Sequence, residues 1–526
     1  MTPVADANHA PRPAGTDGGA GPTNVLFLMT DQHRADTLGA YGNALARTPV
    51  LDALAAGGTR FDRWYTPTAI CTPSRASLLT GQAPFRHRVL ANHERNVGYL
   101  EDLAPGTFTF VEALRAAGYH TGLLGKWHAG TVRGAGEFGF DGPDLPGSAW
   151  HNPVDAPDYL AYLAERGLPP YAISDRVRGT LPNGGPGNLL AARLHQPLEA
   201  TFEHYLATRT IEMLERYAED FRSGARPFFV QLNFFGPHLP YILPDEYFDL
   251  VDPADVELPR SIAETFAGKP PVQANYSAHW TFDTMPIETT RKLIAVYWGY
   301  VAMIDREIGR VLDALERLGL VDSTAVFFTS DHGEFTGSHR LHDKGPAMYE
   351  DIYRTAGLLR VPGGPAGQVR TEFVSLLDCT ATILDLAGID PAPAVDSRSL
   401  LPLVRGEHPD GQAGWAEDIV CEFHGHHFPY PQRMLRTDRH KLVVNPDSTN
   451  ELYDLHTDPD ELSNVYAHPE MAEVRRAMMR RLYQVLRDRG DNFYHWMTTM
   501  YDVGDVDHDP TQSGLDETTY AGEATA

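Results

Sequence analysis

The stretch CTPSRASLLTG, Cys71 to Gly81, constrains the architecture more tightly than any other part of the chain. Thr72 and Pro73 read as an N-cap and a first helical residue, SRASLLT as the helix body and Gly81 as its stop. Cys71 then sits against a helix N-terminus, where unpaired backbone N–H groups and the helix dipole favour an anion. A buried helix-start cysteine with no chemical role is the competing reading, and the flanking sequence has to decide.

Outward from this stretch, apolar runs alternate with segments of helical periodicity, the pattern of an α/β sheet flanked by helices. Asn24 to Thr30 (NVLFLMT) is an uninterrupted apolar run, a buried strand that ends at Asp31. Phe108 to Ala117 reads as an amphipathic helix stopped by Gly118, and Thr121 to Leu124 as a short strand ending before Lys126. Phe228 to Phe234 (FFVQLNF) is a strand running into Gly236, Pro237 and His238. Thr289 to Leu318 carries Leu293, Val296, Ile304, Ile308, Val311 and Leu315 at helical spacing, a long helix with one apolar stripe. Ala325 to Thr329 is a strand delivering Ser330, Asp331 and His332. Four predicted strands thus end in polar or ionisable residues, and open α/β sheets bind ligands beyond the carboxyl ends of their strands.

At 526 residues the chain can bury a large core. We expect a leader over 1–22, a catalytic domain over 23–400, a small C-terminal subdomain over 401–500 and an acidic tail over 501–526. Gly142 to Leu198, rich in Pro, Gly and aromatics, reads as an insertion over one face, and a composition shift near 390–414 reads as a linker. The net charge of -26 argues against nucleic acid and anionic membranes as partners. It also means that an anionic substrate would need positive charge concentrated locally. Three cysteines make no disulfide framework, the N-terminal stretch has no apolar signal core and no stretch approaches a membrane span, so a cytoplasmic location is expected. Cys379 and Cys421 read as core. His339, His342, His424, His426 and His427 read as partly exposed loop histidines, with a ligand or substrate contact as the alternative. Nothing indicates an oligomeric state.

Carboxylates gathered at strand ends repel one another unless a cation lies between them, so Asp31 and Asp331 point to a divalent metal. Lys126 and His128, in GYHTGLLGKWHAG, are two residues apart and would share one side of an extended segment. Pro237 and Pro240 stiffen the loop presenting His238, and DHGEFTGSHRLHDKGPAMYE, from Asp331 to Glu350, brings Lys344.

CTPSRASLLTG, together with the Gly-Lys-Trp-His, Pro-His-x-Pro and Asp-His-Gly elements, resembles the signature of the formylglycine-dependent sulfatases over roughly Asn24 to Asn464. The resemblance implies an alkaline-phosphatase-like α/β fold, a large mixed sheet between helices with a smaller C-terminal α+β subdomain. It implies that a separate formylglycine-generating enzyme oxidises Cys71 to 3-oxoalanine, whose hydrate attacks the sulfur of a small-molecule sulfate ester or sulfamate. It implies one divalent metal on Asp31, Gln32, Asp331, His332 and the modified Cys71. It assigns Arg75 to orienting the diol, His128 to deprotonating it, and His238 and Lys344 to the leaving group. Lys126, Asn92 and Gln32 would contact sulfate. Gln32 stands where many members have Asp, and His332 where many have Asn. That makes a less hard site, open to Mn2+ as well as the Ca2+ usual in the family. The alternatives are a phosphonate monoester or phosphodiester hydrolase of the same superfamily, whose members resemble Tyr and Thr where this chain has Lys126 and His128, and a non-catalytic sulfate-binding homologue.

Overall fold

The computed structural model describes residues 23–504 other than 46, 93–98, 144–152, 182, 391–395 and 407–414. The expected leader, most of the expected tail and much of the expected linker lie outside the described residues.

The main sheet comprises β1 (Asn24–Thr30), β2 (Thr59–Tyr65), β3 (His120–Gly125), β4 (Phe228–Asn233), β5 (Thr324–Ser330), β6 (Arg354–Arg360) and two short strands, β7 (Gln368–Arg370) and β8 (Val374–Ser375). Its order is β7-β2-β6-β5-β1-β4-β3, with β8 also on β2. β1, β3, β4 and β5 are parallel, while β6 is antiparallel to both β5 and β2. β2 therefore runs in the same direction as β1. The chain leaves five strands at one edge, delivering Asp31, the segment leading to Cys71, Lys126, the segment leading to His238, and Asp331.

Alternation along β1 explains the layering. Leu26 and Leu28 pack with Leu206 and Met213 of helix α2 (Phe202–Arg222) and with Val296 and Ile304 of helix α3 (Ile287–Arg317). Val25, Phe27 and Met29 face the other way, against Leu78, Leu79, Phe110, Val111, Ile383 and Leu384. The sheet is buried on both faces, which is why its strands read as uninterrupted apolar runs. Each fully buried Leu or Phe contributes roughly 1.5–3 kcal/mol.

Several sequence expectations shift at their ends. The helix expected from Phe108 starts at Phe110, because Thr109 caps it by accepting a hydrogen bond from the Glu112 N–H. The helix at Cys71, α1, spans Cys71–Thr80, with Ile70 rather than Thr72 at the cap position. The Ser74 N–H already bonds the Ile70 carbonyl, and the Thr72 N–H is taken by Asn92 Oδ1 at 3.0 Å, so the Thr72 hydroxyl caps nothing. Gly81 ends the helix in the left-handed region as expected, at φ 65°. β2 escaped the sequence reading: TRFDRWY alternates only loosely, and it supplies the strand that aims Cys71.

The described part of the expected insertion is ordered secondary structure. A helix, Pro157–Arg166, precedes two antiparallel strands, Ile173–Thr180 and Pro186–Leu194, the second pairing with Tyr241–Pro244. Near the C-terminus, Asp418–His426, Phe428–Thr437, His440–Val444 and Glu451–Asp454 form an antiparallel sheet. The helix Ala472–Arg489 covers it through Met478, Met479 and Leu482, with Pro469–Met471 as a preceding 3-10 turn rather than part of the helix. No helix among the described residues is long and apolar enough to cross a membrane.

Buried ion pairs lock this second sheet to the first. Lys441 Nζ lies 2.9 Å from Glu350 and 2.7 Å from Glu461. Lys269 Nζ bonds the Glu461 carbonyl at 2.7 Å and the Glu264 carboxylate, which His339 Nδ1 also contacts at 3.0 Å. The histidines expected to be partly exposed are instead buried, apart from half-buried His427. His339 stacks on Tyr349 at 3.6 Å between centroids, His342 packs on Phe282, and His424 bonds Glu422 at 2.8 Å.

Two predictions follow from this packing. Gly125 has φ +95°, and a Cβ there would lie 1.8 Å from the Asn233 carbonyl oxygen of the neighbouring strand. Gly125→Ala should therefore cost at least about 2 kcal/mol in denaturant unfolding, the left-handed penalty plus the clash. Burial raises the pKa of Glu264, but His339 and Lys269 outweigh it and hold the group down at about 2. Its stabilising contribution is present above the ordinary value of 4.5 and disappears as pH falls towards 2. Glu264→Gln should be less stable than wild type at pH 6, with the gap narrowing between pH 4.5 and 3; a gap independent of pH would contradict the assignment.

Candidate active site

The parallel register of β1 and β5 sets Thr30 beside Ser330, so the next residues, Asp31 and Asp331, emerge together. Both carboxylates are fully buried. Arg75, the fifth residue of the helix that Cys71 opens, ties them: Nη2 is 2.9 Å from Asp31 Oδ2 and Nε is 2.9 Å from Asp331 Oδ2. Its remaining nitrogen, Nη1, donates to the Lys126 carbonyl at 3.1 Å. Lys126 Nζ adds a 2.7 Å contact to Asp31 Oδ2.

These cations occupy the Oδ2 atoms; Asp31 Oδ1 lies towards Cys71 and His332, and Asp331 Oδ1, near His332 Nε2, also accepts the Gln32 N–H at 3.1 Å and the His332 N–H at 2.9 Å. Cys71 Sγ is 3.9 Å from Asp31 Oδ1 and 3.1 Å from His332 Nε2. His332 Nε2 lies 3.9 Å from Asp31 Oδ1 and 3.8 Å from Asp331 Oδ1. His332 Nδ1 is 2.8 Å from the Gly333 carbonyl, which fixes that nitrogen as the N–H donor and presents Nε2 to the cluster. One ligand atom from each of Asp31, Cys71, Asp331 and His332 lies within 4.8 Å of the others. Spacings of this size suit donors arranged around a single divalent ion.

Electrostatics follow the same layout. Burial would raise the Cys71 thiol, but Lys126, Lys344 and His332 outweigh it and hold it well below its ordinary value. Burial likewise pushes Asp31 up, and Lys126, His238 and Arg75 bring it below the usual carboxylate range. Asp331 is raised by burial and by Asp31. Two adjacent acids with opposed shifts are what shared burial and like charge produce. Burial pushes Cys379 and Cys421 up, in keeping with core thiols away from this site.

The remaining expected residues surround the cluster. Asn92, buried, accepts from the Thr72 N–H through Oδ1, while its Nδ2 has no hydrogen-bond partner among the described residues. His128 hydrogen-bonds Cys71, and burial with Lys126 lowers its pKa to about 4. The Lys126–His128 segment is not simply extended: His128 has φ 45°, and this left-handed turn brings its ring to residue 71. Trp127 packs against Phe138 and Phe140. Lys344 Nζ has three neighbours, Gln32 Oε1 at 3.0 Å, His238 Nε2 at 2.8 Å and Asp343 Oδ1 at 3.1 Å. Gln32, expected among the metal ligands, gives its amide oxygen to Lys344 and its amide N–H to Glu334, so it links the acid cluster to Lys344.

Sequence reading missed Glu334 and Asp343. Glu334 is buried, accepts from the Thr336 N–H at 3.0 Å and anchors Gln32, and its place three residues after Asp331 was the available signal. Asn233, whose Nδ2 donates to the Lys126 carbonyl at 2.8 Å, gave no comparable signal.

The large mixed sheet flanked by helices is the alkaline-phosphatase-like fold. The family model described as Sulfatase matches residues 23–389, and that described as N-sulphoglucosamine sulphohydrolase, C-terminal, matches residues 337–488. The chain is 30% identical over 489 residues to an uncharacterized sulfatase, YidJ, of Escherichia coli strain K12, covering 90% of this chain and 89% of that protein. It is 28% identical over 504 residues to an arylsulfatase of Clostridium perfringens, covering 89% and 95%. A solved phosphonate monoester hydrolase of Agrobacterium radiobacter superposes with a TM-score of 0.72 at 26% identity, over 89% of this chain and 96% of that one. The chain belongs to the sulfatase family, the sulfuric ester hydrolases of this fold.

Arg75 is the tie between two buried acids, so Arg75→Met should cost roughly 3–5 kcal/mol of stability. Added Mn2+ should recover more of the melting temperature in Arg75→Met than in wild type. Equal responses to Mn2+ would mean that the two acids do not share a cation site.

Proposed function

We propose that this protein hydrolyses a small-molecule sulfate monoester at residue 71, matured to formylglycine, beside one divalent cation held by Asp31, Asp331, His332 and residue 71 itself. The observation that carries this reading is the convergence of those four side chains, ringed by Arg75, Lys126 and Lys344. The chain is acidic, yet here it gathers three permanent cations, as an anionic ester requires. Two carboxylate oxygens, a fixed imidazole nitrogen and residue 71 fit a divalent ion, and the nitrogen donor favours Mn2+ over Ca2+. Bound there, the ion would supply Lewis-acid polarisation of the sulfate group. As a hydrated aldehyde, residue 71 would supply one hydroxyl to attack sulfur and a second whose deprotonation lets sulfate leave by C–O cleavage.

Lys126 and Lys344 neutralise sulfate oxygens, and Asn92 Nδ2 donates a hydrogen bond to one of them. Arg75 holds the two aspartates in register and orients residue 71. His128, hydrogen-bonded to residue 71, takes its hydroxyl proton. Lys344 donates to the bridging oxygen of the leaving alcohol, with His238, 2.8 Å away, placed to return the proton. Maturation needs a formylglycine-generating enzyme as partner. Within this reading residues 23–400 form the catalytic domain and 401–500 the smaller subdomain. The two remaining cysteines, Cys379 and Cys421, are unpaired with each other and buried, which agrees with a cytoplasmic setting.

A second reading, phosphonate monoester hydrolysis, is favoured by structural likeness to two such enzymes at a TM-score of 0.72 each. Parallel assays of 4-nitrophenyl sulfate and 4-nitrophenyl phenylphosphonate, on protein produced with a formylglycine-generating enzyme, separate the two. The sulfate should be the faster substrate, and Cys71→Ala should lower its turnover at least about a thousandfold. A faster phosphonate would select the second reading, and an active Cys71→Ala would remove both.

A further inference from the structure

We infer that Glu334 is a positioning residue for the leaving-group step: through the Gln32 amide and the Asp343 backbone it aims the Lys344 ammonium at the bridging oxygen of the ester. The inference rests on the reading of Lys344 as leaving-group acid given above, and adds the residue that sets its aim.

Glu334 is fully buried, at the start of the loop that leads from Asp331 to Lys344. Its two carboxylate oxygens have separate partners. Oε1 accepts two backbone N–H groups, that of Thr336 at 3.0 Å and that of Asp343, the residue before Lys344. The Phe335 N–H, donating to the Asp343 carbonyl at 3.0 Å, closes the same loop beside it. Oε2 accepts from Gln32 Nε2, and Gln32 Oε1 in turn accepts from Lys344 Nζ at 3.0 Å. Glu334 thus holds Lys344 at both ends, by its backbone neighbour and by its ammonium.

Hydrogen-bond polarity makes this bridge directional. A carboxylate only accepts and an ammonium only donates, so a group between them must donate at one end and accept at the other. An amide does so in one orientation. The Gln32 backbone is fixed in the left-handed region, φ 62°, where its N–H donates to Asp331 Oδ1 at 3.1 Å and its carbonyl accepts from the Tyr297 hydroxyl at 2.8 Å. The side chain therefore starts from a set point, and Glu334 decides which amide atom faces Lys344. With the amide reversed, an N–H would meet the ammonium and displace it. In the orientation present, Nζ is held by Gln32 Oε1, by His238 Nε2 at 2.8 Å and by Asp343 Oδ1 at 3.1 Å. A point charge on a flexible four-carbon stem needs such fixed acceptors to be aimed. As the S–O bond to the alcohol breaks, this ammonium passes one proton to the departing oxygen, leaving a neutral alcohol and a neutral amine.

Glu334→Gln isolates the bridge. The new carboxamide oxygen can keep both backbone N–H bonds, but its NH2 replaces the acceptor that Gln32 needs, so the Gln32 amide must reverse. The matured variant is assayed on 4-nitrophenyl sulfate and on phenyl sulfate, whose poorer leaving group needs the proton more. Its kcat/KM for phenyl sulfate should fall at least about tenfold further than for 4-nitrophenyl sulfate. Combining Glu334→Gln with Gln32→Glu exchanges amide and carboxylate, gives Lys344 its acceptor again, and should return the ratio of the two rates towards the wild-type value. Lys344→Ala, the reference, should show the same selective loss. An equal loss on both esters in Glu334→Gln, no loss, or no recovery in the exchanged pair would overturn the inference while Lys344→Ala is selective. An equal loss on both esters in Lys344→Ala would instead remove Lys344 as the leaving-group acid. If Glu334→Gln does not fold, Gln32→Met cuts the bridge from its other side and carries the same comparison.

Discussion

Two buried carboxylates forced side by side set the terms for the rest of the molecule. Parallel pairing of β1 with β5 places Asp31 and Asp331 at adjacent strand ends, both fully buried. Like charges at this distance repel, and neither can turn to solvent. Arg75 answers one oxygen of each, and Lys126 answers Asp31 again. What remains is a pair of inward oxygens facing an imidazole nitrogen and residue 71. The cluster is therefore a consequence of topology first and of side-chain choice second.

The same constraint explains how an acidic protein manages an anion. The whole chain carries a net charge of -26, whereas Arg75, Lys126 and Lys344 are all buried at the sheet edge. Burial costs each of these cations hydration, and each recovers it from a fixed partner: the two aspartates for Arg75 and Lys126, Asp343 for Lys344. Gln32 joins the two halves, bonding Lys344 with its oxygen and Glu334 with its nitrogen. The positive field is thus aimed at one side of the acid pair, where an ester oxygen would arrive.

Much of this was legible in the sequence. Apolar runs that stop at Asp31, Lys126 and Asp331 announce strand ends with chemistry attached, and CTPSRASLLTG announces a helix whose N-terminus carries the cysteine. The losses have physical reasons. β2 was hidden because its half-polar alternation resembles a loop. Thr72 lost the cap position to Ile70 because Asn92, distant in sequence, supplies the acceptor that a capping hydroxyl would have offered. The turn at His128 depends on a left-handed residue that local spacing does not reveal. His339 and His342 looked like loop residues because partners such as Glu264 and Phe282 come from remote segments.

Residue 71 is where the fold, the charge arrangement and the proposed chemistry meet, so its chemical state is the most direct test. The measurement is the mass of the peptide containing residue 71, taken from protein produced with a formylglycine-generating enzyme and active on 4-nitrophenyl sulfate. The account requires an aldehyde at that position in the active fraction. A fully active protein whose residue 71 is still an unmodified thiol would contradict it.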